Sequence, residues 1–208
     1  EATSSSSADL PTAMTFSTIA DGGSVLTERV RITNNGYIGI GTTSPTSNLH
    51  IVDNNNAMIS LQASATSDFL GIMFSRSRGT VAAPTAILSG DGMGGFGFFG
   101  HDGTSFGSEP TATIDGTAAE NFSTTAHGTH MSFGTTPVTT ITSIVRMIIT
   151  ASGNIGIGTT TPGASNLLEL SSTTKGLVLP RMTKAQRDAI GTPVAGMMIY
   201  QTYNTPGL

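Results

Sequence analysis

Three short phrases carry residue types at spacings that could do chemistry. Residues 90–95, GDGMGG, fit G-x-G-x-x-G, the glycine phrase that cradles a dinucleotide pyrophosphate. That chemistry needs a helix opening at the third glycine, so that its N-terminal amides face the phosphates. FGFFGHDG follows instead and has no helical period, so the phrase reads as a glycine strand and no cofactor is expected. Residues 103–107, GTSFG, fit G-x-S-x-G, with His101, His127 and His130 as conceivable partners for Ser105. A nucleophile elbow needs a strand before the serine and a helix after it. SEPTATIDG, with Pro110, supplies no helix. His127 and His130 are three apart, which puts them on opposite faces of a strand. With no cysteine and no acidic residue beside them, no metal is expected. The carboxylates are scattered without an evident acid–base pair, so the chain is read as a non-enzyme.

The elements that carry these phrases are β-strands by composition. The 208 residues include 26 Gly, 23 Ser and 34 Thr, while charged residues are 11 % and aromatics 6 %. Such a chain forms helices poorly and strands fairly well. It is also short of large side chains for one thick core. A net charge of −4 gives no reason to expect nucleic acid. No run of 18 apolar residues is present, so no membrane insertion by a helix is expected. The opening EATSSSSADLP reads like the middle of a longer chain.

The largest signal is a repeat. Residues 14–45 align without a gap to 131–162, with 14 of 32 positions identical, including GxIGIGTTxP at 36–45 and 153–162. Within each copy, apolar residues alternate with period two. Val30 and Ile32 share one face, and Arg29, Arg31 and Thr33 the other. Asn34-Asn35-Gly36 supplies a turn, since these residues tolerate positive φ. Ile38 and Ile40 then alternate with Gly39 and Gly41, and Pro45 stops the strand. In the second copy Met147 and Ile149, then Ile155 and Ile157, take these places. Arg29 and Arg146 are the odd residues of apolar strands. They read either as outward-facing side chains or as inter-chain bonds that set register.

Four segments follow from this pattern. Residues 1–52 are the first β repeat unit, 53–130 a glycine-rich β insert and 131–170 the second repeat unit. Residues 171–208 are a strand–helix–strand segment. In the insert, NAMISLQA and FLGIMFSRS look like strands. In the last segment TKAQRDAIG is a helix, with Thr183 as N-cap, Gln186 completing a capping box and Gly191 at the C-terminal side. Ala185, Ala189 and Ile190 are its inward face.

ERVRITNNGYIGIGTTSPTSNLHIV and VRMIITASGNIGIGTTTPGASNLLEL resemble the strand–turn phrase of bacteriophage tail fibres and related trimeric fibre proteins. TTKGLVLPRMTKAQRDAIGTPVAGMMIYQT is similar to a segment common near the C-termini of phage fibres and some bacterial surface proteins. The resemblance implies an all-β, elongated, intertwined homotrimeric fibre with β-prism or triple β-helix-like segments. It implies a structural role in a virion, carrying a host-attachment device and joined to other fibre or baseplate proteins. A bacterial extracellular adhesin or surface filament subunit is the alternative, and a fibre-borne polysaccharide-degrading enzyme the third reading.

Physical chemistry agrees with the trimer. Ordering a backbone costs roughly 1–2 kcal/mol per residue, and a lone chain this poor in large apolar residues offsets that badly. Burying each isoleucine of the repeat phrase contributes about 1.5–3 kcal/mol. Val30, Ile32, Ile38, Ile40, Met147, Ile149, Ile155 and Ile157 are therefore the expected trimer core. The insert between Gly90 and Gly107 is a candidate knob. There Phe96, Phe98, His101, Asp102 and Phe106 could contact a host glycan or protein, unless the phenylalanines line the trimer axis instead.

Overall fold

The computed structural model describes residues 12–64 and 70–202. The chain divides into two compact units, Glu1–Gly71 and Ile72–Leu208, each holding one copy of the repeat. Among the described residues it is nearly all β, with one short helix.

In the first unit, the alternating runs form β1 (Met14–Ile19), β2 (Leu26–Ile32), β3 (Ile38–Ile40) and β4 (Leu49–Ile51), adjacent in that order. The first three are antiparallel neighbours, and β4 runs parallel to β3. The Asn34-Asn35-Gly36 turn joins β2 to β3, with Gly36 at φ 78° and its N–H donating to the Thr33 carbonyl at 2.9 Å. Two parallel strands cannot be joined by a hairpin, so residues 41–48 must cross over one face of the sheet.

That crossover explains the glycines of the repeat phrase. A Cβ on Gly39 would lie 2.6 Å from the Thr42 carbonyl oxygen and 3.5 Å from Pro45 Cβ. Gly41 has φ +72°, and a Cβ there would overlap the Val52 carbonyl oxygen. The second copy repeats both constraints. A Cβ on Gly156 would lie 2.5 Å from the Thr159 carbonyl oxygen, and Gly158 has φ +78° and abuts the Ser171 carbonyl. The phrase is thus a strand whose glycine face is covered by its own exit loop, with the isoleucines on the other side.

The second unit begins with β5 (Arg78–Gly79) and β6 (Pro84–Thr85), a two-stranded ladder. Six strands follow: β7 (Gly92–Phe98), β8 (Ala112–Ala118), β9 (Thr129–Thr135), β10 (Ile144–Ile149), β11 (Ile155–Ile157) and β12 (Leu168–Leu170). They form one sheet in the order β12-β11-β10-β9-β8-β7. Strands β9–β12 reproduce β1–β4, and the glycine-rich hairpin β7–β8 extends the sheet beyond β9.

Both copies share a β-bulge. Phe16 opposes Val30 and Ser17 opposes Glu28, leaving Arg29 as the extra residue. Gly134 opposes Val145 and Phe133 opposes Met147, leaving Arg146 in the same place. Each arginine donates from Nε to a threonine across the ladder, at 2.9 Å to Thr18 Oγ1 and 2.9 Å to Thr135 Oγ1. Their carbonyls accept the N–H of Gly41 and of Gly158, at 2.9 and 3.0 Å. The arginines thus close bonds inside their own chain, where they hold the bulge to the glycine phrase.

The copies differ on the covered face. Arg31 pairs with Glu28 at 2.8 Å in the first, while Ile148 stands at the Arg31 position in the second and is buried. Ile38 pairs with Leu49 but Ile155 with Leu168, so the second crossover is two residues longer. Asn154 secures it, its buried amide nitrogen lying 2.7 Å from the Asn166 carbonyl and 3.2 Å from that of Gly163. Glu169 accepts from the Gly163 N–H at 2.8 Å and from Asn166 Nδ2 at 2.9 Å.

The described residues end in β13 (Arg181–Met182), α1 (Lys184–Asp188) and β14 (Tyr200–Gln201), with β13 and β14 parallel. Thr183 caps the helix and Gln186 completes the capping box, but the C-cap is Ala189, short of Gly191. No helical residue is buried, and Ala185 and Ala189 are exposed. α1 meets the two-stranded ladder through Arg187 Nη1, 2.6 Å from Gln201 Oε1. NAMISLQA and the described part of FLGIMFSRS, Leu70–Ser77, run without ladder partners inside the chain, and Phe69 lies outside the described residues. An alternating pattern makes a strand only where another strand accepts its hydrogen bonds.

Candidate functional site

The registers place the apolar residues in rows that cross whole sheets. In the second unit, Phe96, Ile114, Phe133, Met147, Ile157 and Leu170 stand opposite one another across six strands. At about 4.8 Å between strands, that row is about 24 Å long. Beside it, Met131, Ile149, Ile155 and Leu168 form a second row. The first unit has two shorter ones, Phe16-Val30-Ile40-Ile51 and Met14-Ile32-Ile38-Leu49. All eight repeat-derived core candidates therefore share one sheet face within their unit. Phe96 belongs to the same row as Met147 and Ile157, and Phe98, two residues on, lies on that face.

These rows are largely uncovered in the single chain, although the Phe74 ring stands edge-on to Phe96 at 5.3 Å. Ile38 is 37 % exposed, Ile40 38 %, Ile157 42 % and Phe96 48 %, while Val30, Ile32, Met147, Ile149 and Ile155 are half-buried. Among the described residues only Ile87, Ala118 and Ile148 are buried apolar side chains. The chain exposes 16246 Å², against about 9,100 Å² for a folded monomer of this mass.

The opposite face of the larger sheet is mixed, with Ile148 buried on it and Thr113 and Asp115 beside Val145. Thr113, Asp115, Gly134 and Val145 line a groove of about 680 Å³, closed by Phe106 and Glu109 of the β7–β8 hairpin. At the hairpin tip, Asp102 Oδ1 accepts the N–H groups of Thr104 and Ser105, both at 2.7 Å. Those two amides, Ser105's foremost, hold the Asp102 carboxyl below its ordinary range. The His101 ring stands edge-on to Phe106 at 5.0 Å. His101, Asp102 and Phe106 are thus brought together at the tip, apart from Phe96 and Phe98.

The phrases that suggested chemistry have structural places. GDGMGG leads into β7 with no helix behind it, and GTSFG is the β7–β8 turn, where Ser105 Oγ accepts the Gly107 N–H at 3.3 Å. His127 stands edge-on to Phe122 at 5.0 Å, and His130 Nδ1 accepts the Ala151 N–H at 3.1 Å. Among the described residues no group of three His, Cys, Asp or Glu side chains could hold a metal.

One cluster went unread in the sequence. Asp91, inside GDGMGG, is buried and accepts from Arg78 Nε at 2.6 Å and Nη2 at 2.8 Å, and from the Leu88 N–H at 2.9 Å. Arg76 donates to the Gly92 carbonyl and reaches Asp91 at 3.4 Å. The Arg78 bond, then the Leu88 amide, holds the Asp91 carboxyl well below the usual carboxylate range. Its signal was the paired arginines of RSRG, unremarkable until the fold brings Asp91 to them.

Comparison with known proteins gives these faces a context. Residues 156–208 match the family described as phage tail like trimerisation region. The fold is similar to that of the carboxy-terminal domain of the bacteriophage T5 L-shaped tail fibre, at 14 % identity and TM-score 0.60, covering 83 % of this chain and 77 % of that one. The same T5 domain with its intra-molecular chaperone domain matches at 16 % identity and TM-score 0.63, over 93 % of this chain and 57 % of that one. No curated protein sequence matches the chain.

Proposed function

We propose that this chain is a structural part of a phage tail fibre that assembles as a homotrimer, with its apolar sheet faces turned to the neighbouring copies. The observation that carries the reading is the uncovered row Phe96-Ile114-Phe133-Met147-Ile157-Leu170, in a chain exposing 16246 Å². Its β11 and β12 residues lie within the stretch that matches a trimerisation family. Burying the remaining half of each such side chain contributes roughly 0.7–1.5 kcal/mol per residue per chain. Val30, Ile32, Ile38, Ile40, Met147, Ile149, Ile155 and Ile157 fill that core, and Phe96 and Phe98 join them. The fibre sits in the virion and connects to other fibre or baseplate proteins. Its work is mechanical rather than catalytic, and a glycan-cleavage assay on host surface polysaccharide is expected to yield no product.

The tip residues His101, Asp102 and Phe106 are the proposed host-contact positions, suited to a surface glycan or protein. Phe106 is 60 % exposed and its ring is already oriented by His101. Sedimentation or light scattering of the purified chain tests the assembly. The expected mass is three times 21.2 kDa, and a stable compact monomer would refute it.

A further inference from the structure

The structural repeat runs further than the sequence repeat. After β12, Ser172 Oγ accepts the N–H groups of Thr174 and Lys175 at 3.1 and 2.9 Å, and the chain runs on through Leu177-Val178-Leu179. After β4, Asp53 Oδ1 accepts the N–H groups of Asn55 and Asn56 at 2.7 and 2.9 Å, and the chain runs on through Ala57-Met58-Ile59-Ser60-Leu61. Counted from the paired residues Leu49 and Leu168, the turn acceptors Asp53 and Ser172 fall at the same position, and so do the apolar pairs Met58-Ile59 and Leu177-Val178. No residue of 50–60 is identical to its partner in 169–179. Only the geometry makes them equivalent.

Both runs share an unmet requirement. Met58 is 77 % exposed and Ile59 65 %, matched by Leu177 at 64 % and Val178 at 76 %. Among the described residues, none of 57–61 or 177–179 makes a main-chain hydrogen bond within the chain. Water can satisfy their amides but not their side chains, and folding back on the chain has done neither. A neighbouring strand satisfies both at once. Each run also borders an apolar hollow, of about 260 Å³ beside Leu49 and Ile51 and about 250 Å³ beside Arg181 and Tyr200.

The second run lies inside the stretch that matches a trimerisation family. We infer that residues 38–61 are a second trimerisation element, upstream of that match. In it Ala57–Leu61 becomes a β-strand when another copy of this chain supplies its ladder partner. The occupant is a second copy because the same build recurs where the family match falls. The inference rests on the homotrimer reading and goes beyond it by assigning inter-chain strand pairing to Ala57–Leu61.

The test uses the whole purified chain, sized by sedimentation and followed by hydrogen–deuterium exchange with mass spectrometry. In the trimer, amides of 57–61 and of 177–179 are expected to exchange at least about 100-fold more slowly than unstructured peptide. Ile59→Asp should return 57–61 to the unstructured rate while 177–179 stays protected and the mass stays trimeric. Val178→Asp should do the converse. A trimer whose residues 57–61 exchange at the unstructured rate overturns the inference and leaves the homotrimer standing. A monomer overturns both. Continued protection of 57–61 in Ile59→Asp also overturns it, because the segment is then held by something other than apolar strand pairing.

Discussion

Replacing Gly153, Gly156 and Gly158 by alanine, one at a time, separates backbone conformation from space. Gly153 has φ +83° with nothing within 4 Å of a new Cβ. Alanine there meets only the left-handed penalty of about 1–2 kcal/mol, partly offset by the stiffer unfolded chain. A net loss of about 0.5–1 kcal/mol is expected. Gly156 has an ordinary φ, but its Cβ would sit 2.5 Å from the Thr159 carbonyl oxygen and 3.3 Å from Ile148 Cγ2. The crossover would have to lift from the sheet, an overpacking cost of about 1–3 kcal/mol. Gly158 combines φ +78° with the Ser171 carbonyl, so its cost is the sum, about 2–5 kcal/mol. Chemical denaturation at one fixed chain concentration reads this order as midpoint shifts at constant m-value. Gly36, Gly39 and Gly41 should give the same ranking in the first unit. A Gly156→Ala chain as stable as the parent, or a Gly153→Ala chain less stable than both others, would show that the crossover does not rest on the glycine face.

Other outcomes follow from the same geometry. Ile157→Asp puts a carboxylate into the apolar row, and sedimentation should show the trimer dissociating, whereas Thr183→Ala should fray α1 by about 1 kcal/mol with the mass unchanged. A double-mutant cycle on Arg146 and Thr135 should return a coupling of about 0.5–1.5 kcal/mol; zero coupling would mean that the bulge needs no bond to hold it. The Asp91 carboxyl is held low by Arg78 first, and that of Glu169 by the Gly163 amide first. Both folded values lie below the unfolded ones, so the stability they contribute is complete above about pH 5 and is lost as pH falls below it. Denaturation midpoints should therefore be flat from pH 7 to about 5 on this account and decline below that, with a smaller decline in Asp91→Asn.

Much of the fold was legible where the signal is local. Period-two alternation marks β1–β3 and β9–β11, Asn34-Asn35-Gly36 marks a turn, and Thr183 with Gln186 marks the helix start, because each depends on neighbours within a few residues. The pairing of β7–β8 with β9 was not legible, since it joins Ile114 to Phe133 across an intervening loop. Nor was Asp91, whose partners Arg76 and Arg78 lie 15 and 13 residues away. The two arginines of the repeat were ambiguous for the same reason: Thr18 and Thr135, eleven residues distant, decide what they do. Phe96 and Phe98 read from sequence either as a contact patch, because aromatics cluster there in a glycine-rich stretch, or as residues lining the trimer axis. The register sets them on the face that carries Met147 and Ile157.

By itself the amino-acid sequence determined that Ile38 and Ile40, or Ile155 and Ile157, stand opposite Gly39 and Gly41, or Gly156 and Gly158. Chirality and a period of two leave a strand no other arrangement. Only the tertiary structure decided which of those faces the chain covers for itself. Residues 41–48 and 158–167 cross the glycine side because that side alone has room for a backbone. The isoleucine side, with rows reaching as far as Phe96, stays open to another molecule.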